Sequence, residues 1–142
     1  MKDLHSRIAI DQLIGAATLD DDNTPAAVDL LGFESAEICI AVGVGGITFT
    51  TTNKVEFKLT HSDDNSSYSA VTVSDMLGLD SVGSGGIIKS LVAAHSAADV
   101  SRCGYVGGKR YLKLLADFGG THATGTPIAA LVVKGNPDRS QA

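Results

Sequence analysis

The sequence predicts an all-β fold: a β-sandwich or jelly-roll-like single domain with an N-terminal arm. The clearest observation is the segment Lys54–Ser62, in which apolar or ring-bearing residues alternate with polar ones in strict period two. Such alternation is typical of a strand with one buried and one solvated face. Sixteen glycines and clusters of Ser, Thr, Asp and Asn mark turns between short segments. About seven or eight short strand candidates, with little helical periodicity between them, indicate a sandwich or jelly roll.

The strand candidates follow the apolar segments along the chain. Residues 1–16 form an arm or a first strand, because Leu4 and Ile8 fit an extended face about as well as a helical spacing. Polar residues at 20–25 and 63–67 predict turns, since Asx side chains bond to nearby backbone. Residues 76–86 resemble a loop, and residues 87–94 fit a strand or a short helix. The other strand candidates are residues 26–31, 36–42, 54–62, 68–73, 102–106, 111–116 and 128–134, so the sandwich covers 17–135 and a polar tail covers 136–142.

Composition disfavours several classes of protein. The chain has 142 residues, the size of one ordinary domain, and its net charge of −5 is spread along the sequence without a basic stripe for nucleic acid. The richest apolar run, residues 128–133, is far shorter than the roughly 20 residues of a membrane span, and charged residues interrupt the N-terminus where a signal peptide would be apolar. Cys39 and Cys103 lie in or beside apolar segments, which favours buried free thiols. We therefore expect synthesis in the cytoplasm and no nucleic-acid or membrane partner.

No motif in the sequence points to catalysis, so we expect neither enzymatic activity nor a cofactor. Residues 104–110 place a Gly-Lys pair after a strand candidate, as a phosphate-binding loop does. That loop requires Gly where this chain has Cys103, and Ser or Thr where it has Arg110. Residues 43–46 lack the third glycine and the helix of a dinucleotide site. The four histidines share no metal-ligand spacing, so no metal site is predicted.

Two acidic clusters leave the question of calcium open. Residues 20–22 begin like an EF-hand loop, yet Pro25 and Leu31 occupy the positions that require Gly and Glu. The pair Asp63 and Asp64 is explained by turn chemistry alone. Calcium binding at either cluster is therefore an alternative that the sequence neither requires nor excludes.

Several stretches of the sequence look familiar as a set. They are MKDLHSRIAI at the start, AAVDLLGFESAEICIAVG at 26–43, KVEFKLTHSDDNSSYSAVTV at 54–73, CGYVGGKRYLKLLADF at 103–118 and GTPIAALVVKGNP at 125–137. Together they resemble a group of small proteins encoded near capsid genes in tailed bacteriophages and related gene transfer elements. Members of this group look like decoration or cement proteins, which bind the outside of an assembled capsid, commonly as trimers. The shared motifs are structural and imply no catalytic residues.

The resemblance implies a virion structural protein that is made in the host bacterial cytoplasm and sits on the outer capsid surface. Its partners would be the major capsid protein and further copies of itself, with a trimer favoured. Such a protein needs a stiff domain, exposed apolar or strand-edge surface, and an arm that can order on a neighbour. The candidate capsid or subunit interface consists of the apolar residues of the arm and three basic residues, namely Leu4, Ile8, Ile10, Leu13, Ile14, Lys109, Arg110 and Lys113.

Two other functions compete with the capsid hypothesis. A tail or head-to-tail joining component would share the structural character but occur in fewer copies per particle. A carbohydrate-binding module for host adhesion is the other alternative. Sugar-binding platforms usually present exposed aromatic rings, and this chain has no Trp and three Tyr, which disfavours that function.

Overall fold

The computed structural model describes residues 2–137, which form two antiparallel sheets packed face to face. The first sheet has the order β1-β10-β3-β8-β6, and the second has the order β2-β9-β4-β5 with β7 also paired to β4. The all-β sandwich prediction is thereby confirmed. Within the described residues, no helix is long and apolar enough to cross a membrane. The strands are β1 (Ala9–Leu19), β2 (Val28–Asp29), β3 (Phe33–Val42), β4 (Lys54–Ser62), β5 (Ser69–Ala70), β6 (Met76–Leu77), β7 (Ile87–Leu91), β8 (Asp99–Tyr105), β9 (Tyr111–Gly119) and β10 (Thr126–Pro137).

The core lies between the two sheets and is built by alternation. In β4, Val55, Phe57 and Leu59 are fully buried, while the residues between them are half-exposed. The neighbouring β9 repeats the pattern with Leu112 and Leu114, which are also fully buried. Alternate residues of β3 and β10 close the core from the first sheet. The period-two pattern therefore fixes which face of the second sheet is buried.

Residues 9–19 form the edge strand β1, which pairs along β10, so the predicted boundary at residue 16 falls inside a strand. Leu13 and Ile14 are neighbours in sequence, yet both are buried. The reason is that the register shifts between Gln12 and Ile14 and again before Ala17, as at β-bulges. These irregularities remove the alternation that would have identified the strand.

Other segments differ from the sequence prediction in their strand partners or in their bounds. Of the strand candidate at 68–73, only β5 forms and pairs with β4, and β7 takes the adjoining part of that edge of β4. The other edge of β4 pairs along its whole length with β9. The predicted loop at 76–86 contains the short strand β6, and β10 continues to Pro137, two residues into the predicted tail. Residues 138–142 of that tail lie outside the described part of the chain.

Candidate interaction surface

The outer face of the first sheet is mostly apolar, with Gln12, Glu37 and Arg102 as polar members. In its central strands, Leu131 and Val133 of β10 and Cys39 of β3 point away from the core, on the side opposite the buried Ile38 and Val132. Strand pairing brings exposed residues of the outer strands to the same side of the sheet: Ile10 is 55 %, Leu77 58 % and Val100 71 % exposed. We call this surface the apolar face; its members are Ile10, Cys39, Ala41, Leu77, Val100, Ala129, Leu131 and Val133.

The charged residues on the apolar face neutralise each other. Glu37 lies opposite Val133, and Arg102 lies opposite Cys39. Arg102 Nη1 donates a hydrogen bond of 2.8 Å to Glu37 Oε2. The pair leaves the face without net charge, although the chain as a whole carries −5.

The apolar face has a bulky half and a depression. Ile10, Leu77, Leu131 and Val133 form the bulky half. Towards the other end of the strands the outward residues are small, and a shallow depression of about 490 Å³ opens there, with Val100 at its side. The depression is lined by Ala16, Ala17, Ala41, Gly43, Pro127 and Ala129, among others.

The outer face of the second sheet has the opposite character. Lys54 pairs with Glu56 at 3.2 Å, and Lys58 pairs with Asp117 at 2.6 Å, all on or between β4 and β9. These side chains are partly exposed, so the face is solvated and charged. An antiparallel sheet commonly has one face on the core and a polar, solvated face opposite, so the apolar outer residues of the first sheet depart from the usual pattern. Contiguous apolar patches on a protein surface mark interaction sites, so the first sheet carries the candidate site.

The N-terminal candidate residues are divided between surface and core. Leu4 is 67 % exposed just ahead of a 3-10 turn at His5–Arg7, and Ile8 is half-buried. Ile10 lies on the apolar face. Leu13 and Ile14 pack in the core, which accounts for their apolar character without an interface. An interface role is therefore accessible to Leu4 and Ile10.

The three basic candidates lie on β9 of the second sheet and the loop before it, and each has a partner. Lys109 pairs with Asp63 at 3.3 Å. Arg110 donates two hydrogen bonds of 2.8 Å to the carboxylate of Asp29. This pairing lowers the pKa of Asp29 to about 2. The ammonium of Lys113 lies 4.3 Å from the ring centre of Tyr68.

Side chains of the two acidic clusters form hydrogen bonds with backbone groups of this protein. The side chain of Asn23 accepts a hydrogen bond from Ala116 N and donates one to Leu114 O, and Asp22 accepts one from Phe118 N. This turn therefore covers the edge of β9 beyond β2. Asp64 accepts bonds from the backbone amides of the following serines, which lowers its pKa to about 2. Within residues 2–137, no three metal-ligating side chains converge.

A buried polar pair links the two sheets. His61 Nδ1 of β4 lies 2.8 Å from the hydroxyl of Tyr105 in β8, and that hydroxyl accepts a bond from Lys109 N. The hydroxyl proton is then free to be donated to Nδ1, an arrangement that requires a neutral imidazole. Burial is the main cause that lowers the pKa of His61. Asp75 and Asp63 oppose the shift, whereas Lys109 adds to it.

This pair predicts a loss of stability in mild acid. Below about pH 6.5 the unfolded chain takes up a proton at His61 before the folded chain does, so the free energy of unfolding falls as the pH decreases. Urea unfolding between pH 7.5 and 5 measures the slope, above the range in which carboxylates titrate. We expect His61→Gln to flatten that slope, and Thr60→Ala, a change of a non-ionisable residue on the same strand, to leave it unchanged. An equal slope in the His61→Gln variant would contradict the assignment.

Several residues of the apolar face were not among the sequence candidates: Val100, Ala129, Leu131 and Leu77. A signal for two of them existed, because residues 128–133 are apolar at every position. In a sandwich strand with one face in water, alternate positions are usually polar. The sequence predicts a strand at these residues. It does not indicate that alternate side chains of the strand form part of an exposed surface.

Comparison with known proteins adds no relative: no family model, no curated protein and no solved structure matches the chain. The apolar face is therefore the observation from which a function can be inferred.

Proposed function

We propose that this chain is a virion structural protein that decorates the outside of an assembled phage capsid, as a homotrimer, and stabilises the shell. The observation that carries the proposal is the apolar face, which gives the molecule a large surface suited to association with protein. A decoration protein works through such surfaces and needs no reactive centre. The resemblance of the sequence stretches to capsid-associated proteins supports the same function.

Stabilisation of a shell follows from multivalent binding. An oligomer that bridges several capsid subunits gains avidity even when each contact is weak. The exposed Leu4 and the turn at His5–Arg7 precede the first strand and are the candidate contact with the shell. A short segment of this kind can order on a neighbouring protein. The sandwich then acts as a rigid body that connects these contacts.

Electron microscopy of purified particles tests the function directly. We expect this protein on the outer shell in stoichiometric amount, on the order of hundreds of copies, and we expect particles from a deletion strain to release DNA at lower temperature. Gel densitometry separates this outcome from a tail component, which would be present in the low tens. Absence from the shell would overturn the proposal.

Substitution of Leu4 tests the shell contact. Leu4→Asp is expected to lower occupancy on deletion-strain particles at least about tenfold, because it places a charge in an apolar contact. Val92→Asp is the matched control, since Val92 is 40 % exposed just after β7, at the opposite end of the sandwich. Both variants should unfold at the wild-type urea concentration. Equal occupancy of the two variants would contradict the role of the N-terminal segment.

A further inference from the structure

The two halves of the apolar face differ in side-chain size. The bulky half projects Leu131 and Val133, and the depression is floored by Ala41 and Ala129. Both lie on the same sheet, separated along the strands by two to four residues of β10. Each copy of this chain therefore carries both the bulky half and the depression, and both are apolar.

We infer that the apolar face is the self-association surface of the proposed oligomer, and that its occupant is a second copy of this chain. The bulky half of one copy enters the depression of the next. Such a contact between unlike halves closes into a ring when the rotation permits, and three copies give a trimer. The inference rests on the proposed function, since it assigns this surface to the oligomer and leaves the segment around Leu4 for the shell.

Charge favours a second copy as the occupant. Copies with a net charge of −5 repel each other over most of their surface. The apolar face adds nothing to this repulsion, because its Glu37 and Arg102 compensate each other. Arg102 is 76 % exposed and can approach a carboxylate of an adjacent copy without leaving a buried unpaired charge. Two identical molecules can therefore meet through this face without net charge repulsion between the two faces.

The experiment uses the full-length protein in solution. Sedimentation equilibrium is expected to give a discrete oligomer whose dissociation constant rises about tenfold or more in Leu131→Lys. Leu115→Lys is the matched control, because Leu115 is also a partly exposed leucine in a strand, in β9 opposite Lys58 on the charged face. The control should associate like the wild type, and urea unfolding of both variants verifies that they fold.

Cys39 supplies a second readout that needs no substitution. It lies in the middle of the apolar face and is partly exposed, and partial burial raises its pKa. Cys103 is buried, and burial raises its pKa to about 11. We expect maleimide labelling of Cys39 to slow at concentrations at which the protein associates, and to recover in Leu131→Lys. Cys103 should stay unlabelled in the folded protein throughout.

The outcomes separate the two proposals. A monomer at all concentrations, or an oligomer that Leu131→Lys leaves intact while Cys39 stays reactive, would overturn the self-association surface. If Cys39 of a monomer became protected only on capsids, the face would bind the shell; the self-association inference would fail and the decoration function would stand. If the protein formed a discrete oligomer with protected Cys39 but were absent from particles, the self-association inference would stand and the decoration function would fail.

Discussion

Phe57→Ala is expected to lower the free energy of unfolding by about 3–5 kcal/mol. Phe57 is fully buried in the middle of β4, where its backbone pairs with Ala116 on one side and Lys89 on the other. Truncation removes the transfer free energy of the ring and leaves a cavity that paired strands on both sides cannot collapse. Because a domain is stable by only about 5–15 kcal/mol, this single change removes a large part of the total.

Urea unfolding followed by far-ultraviolet circular dichroism measures the effect, at a protein concentration below that of association. Thr60→Ala is the matched control on the same strand, because Thr60 is partly exposed on the solvated face. We expect Thr60→Ala to change the free energy of unfolding by no more than about 0.5 kcal/mol, beyond the difference in strand preference between Thr and Ala. A loss below about 1 kcal/mol in Phe57→Ala would show that the ring does not fill the core as described.

The strands with regular alternation were predictable, and those without it were not. Lys54–Ser62 was identified with its bounds, because one of its faces is apolar and the other polar. β1 was not, because two register shifts bury Leu13 and Ile14 in succession. Period-two reasoning assumes an unbroken pleat, and a bulge breaks that assumption at one residue. Prediction of strands from the sequence therefore fails where an edge strand has an irregular register.

The candidate surface depended on information that single segments do not contain. Leu131, Cys39 and Val100 come from three strands, and only strand pairing brings them to one face. Composition identifies such residues as apolar but not as outward. The basic residues illustrate the converse case. Arg110 is a candidate interface residue in the sequence, and only the structure shows that it pairs with Asp29, 81 residues earlier in the same chain.

Gly86→Ala is expected to destabilise the protein by about 3 kcal/mol or more, through two separate causes. Gly86 has φ of +88°, a left-handed conformation that costs residues other than glycine about 1–2 kcal/mol. A Cβ atom there would also lie 2.3 Å from the carbonyl oxygen of Leu59, which is closer than real contacts. The turn would have to move away from β4 and lose the 2.9 Å bond from Leu59 N to Gly86 O.

Gly85→Ala separates these two causes. Gly85 has φ of +80°, but its added Cβ would meet no atom closer than Lys58 Cδ at 3.6 Å. This variant therefore carries the conformational cost of about 1–2 kcal/mol without the clash. The difference between the two unfolding free energies measures the close approach of the turn to β4. Equal losses in the two variants would mean that the turn relaxes freely, and that β7 is not held against β4 by the contact at Leu59 and Gly86.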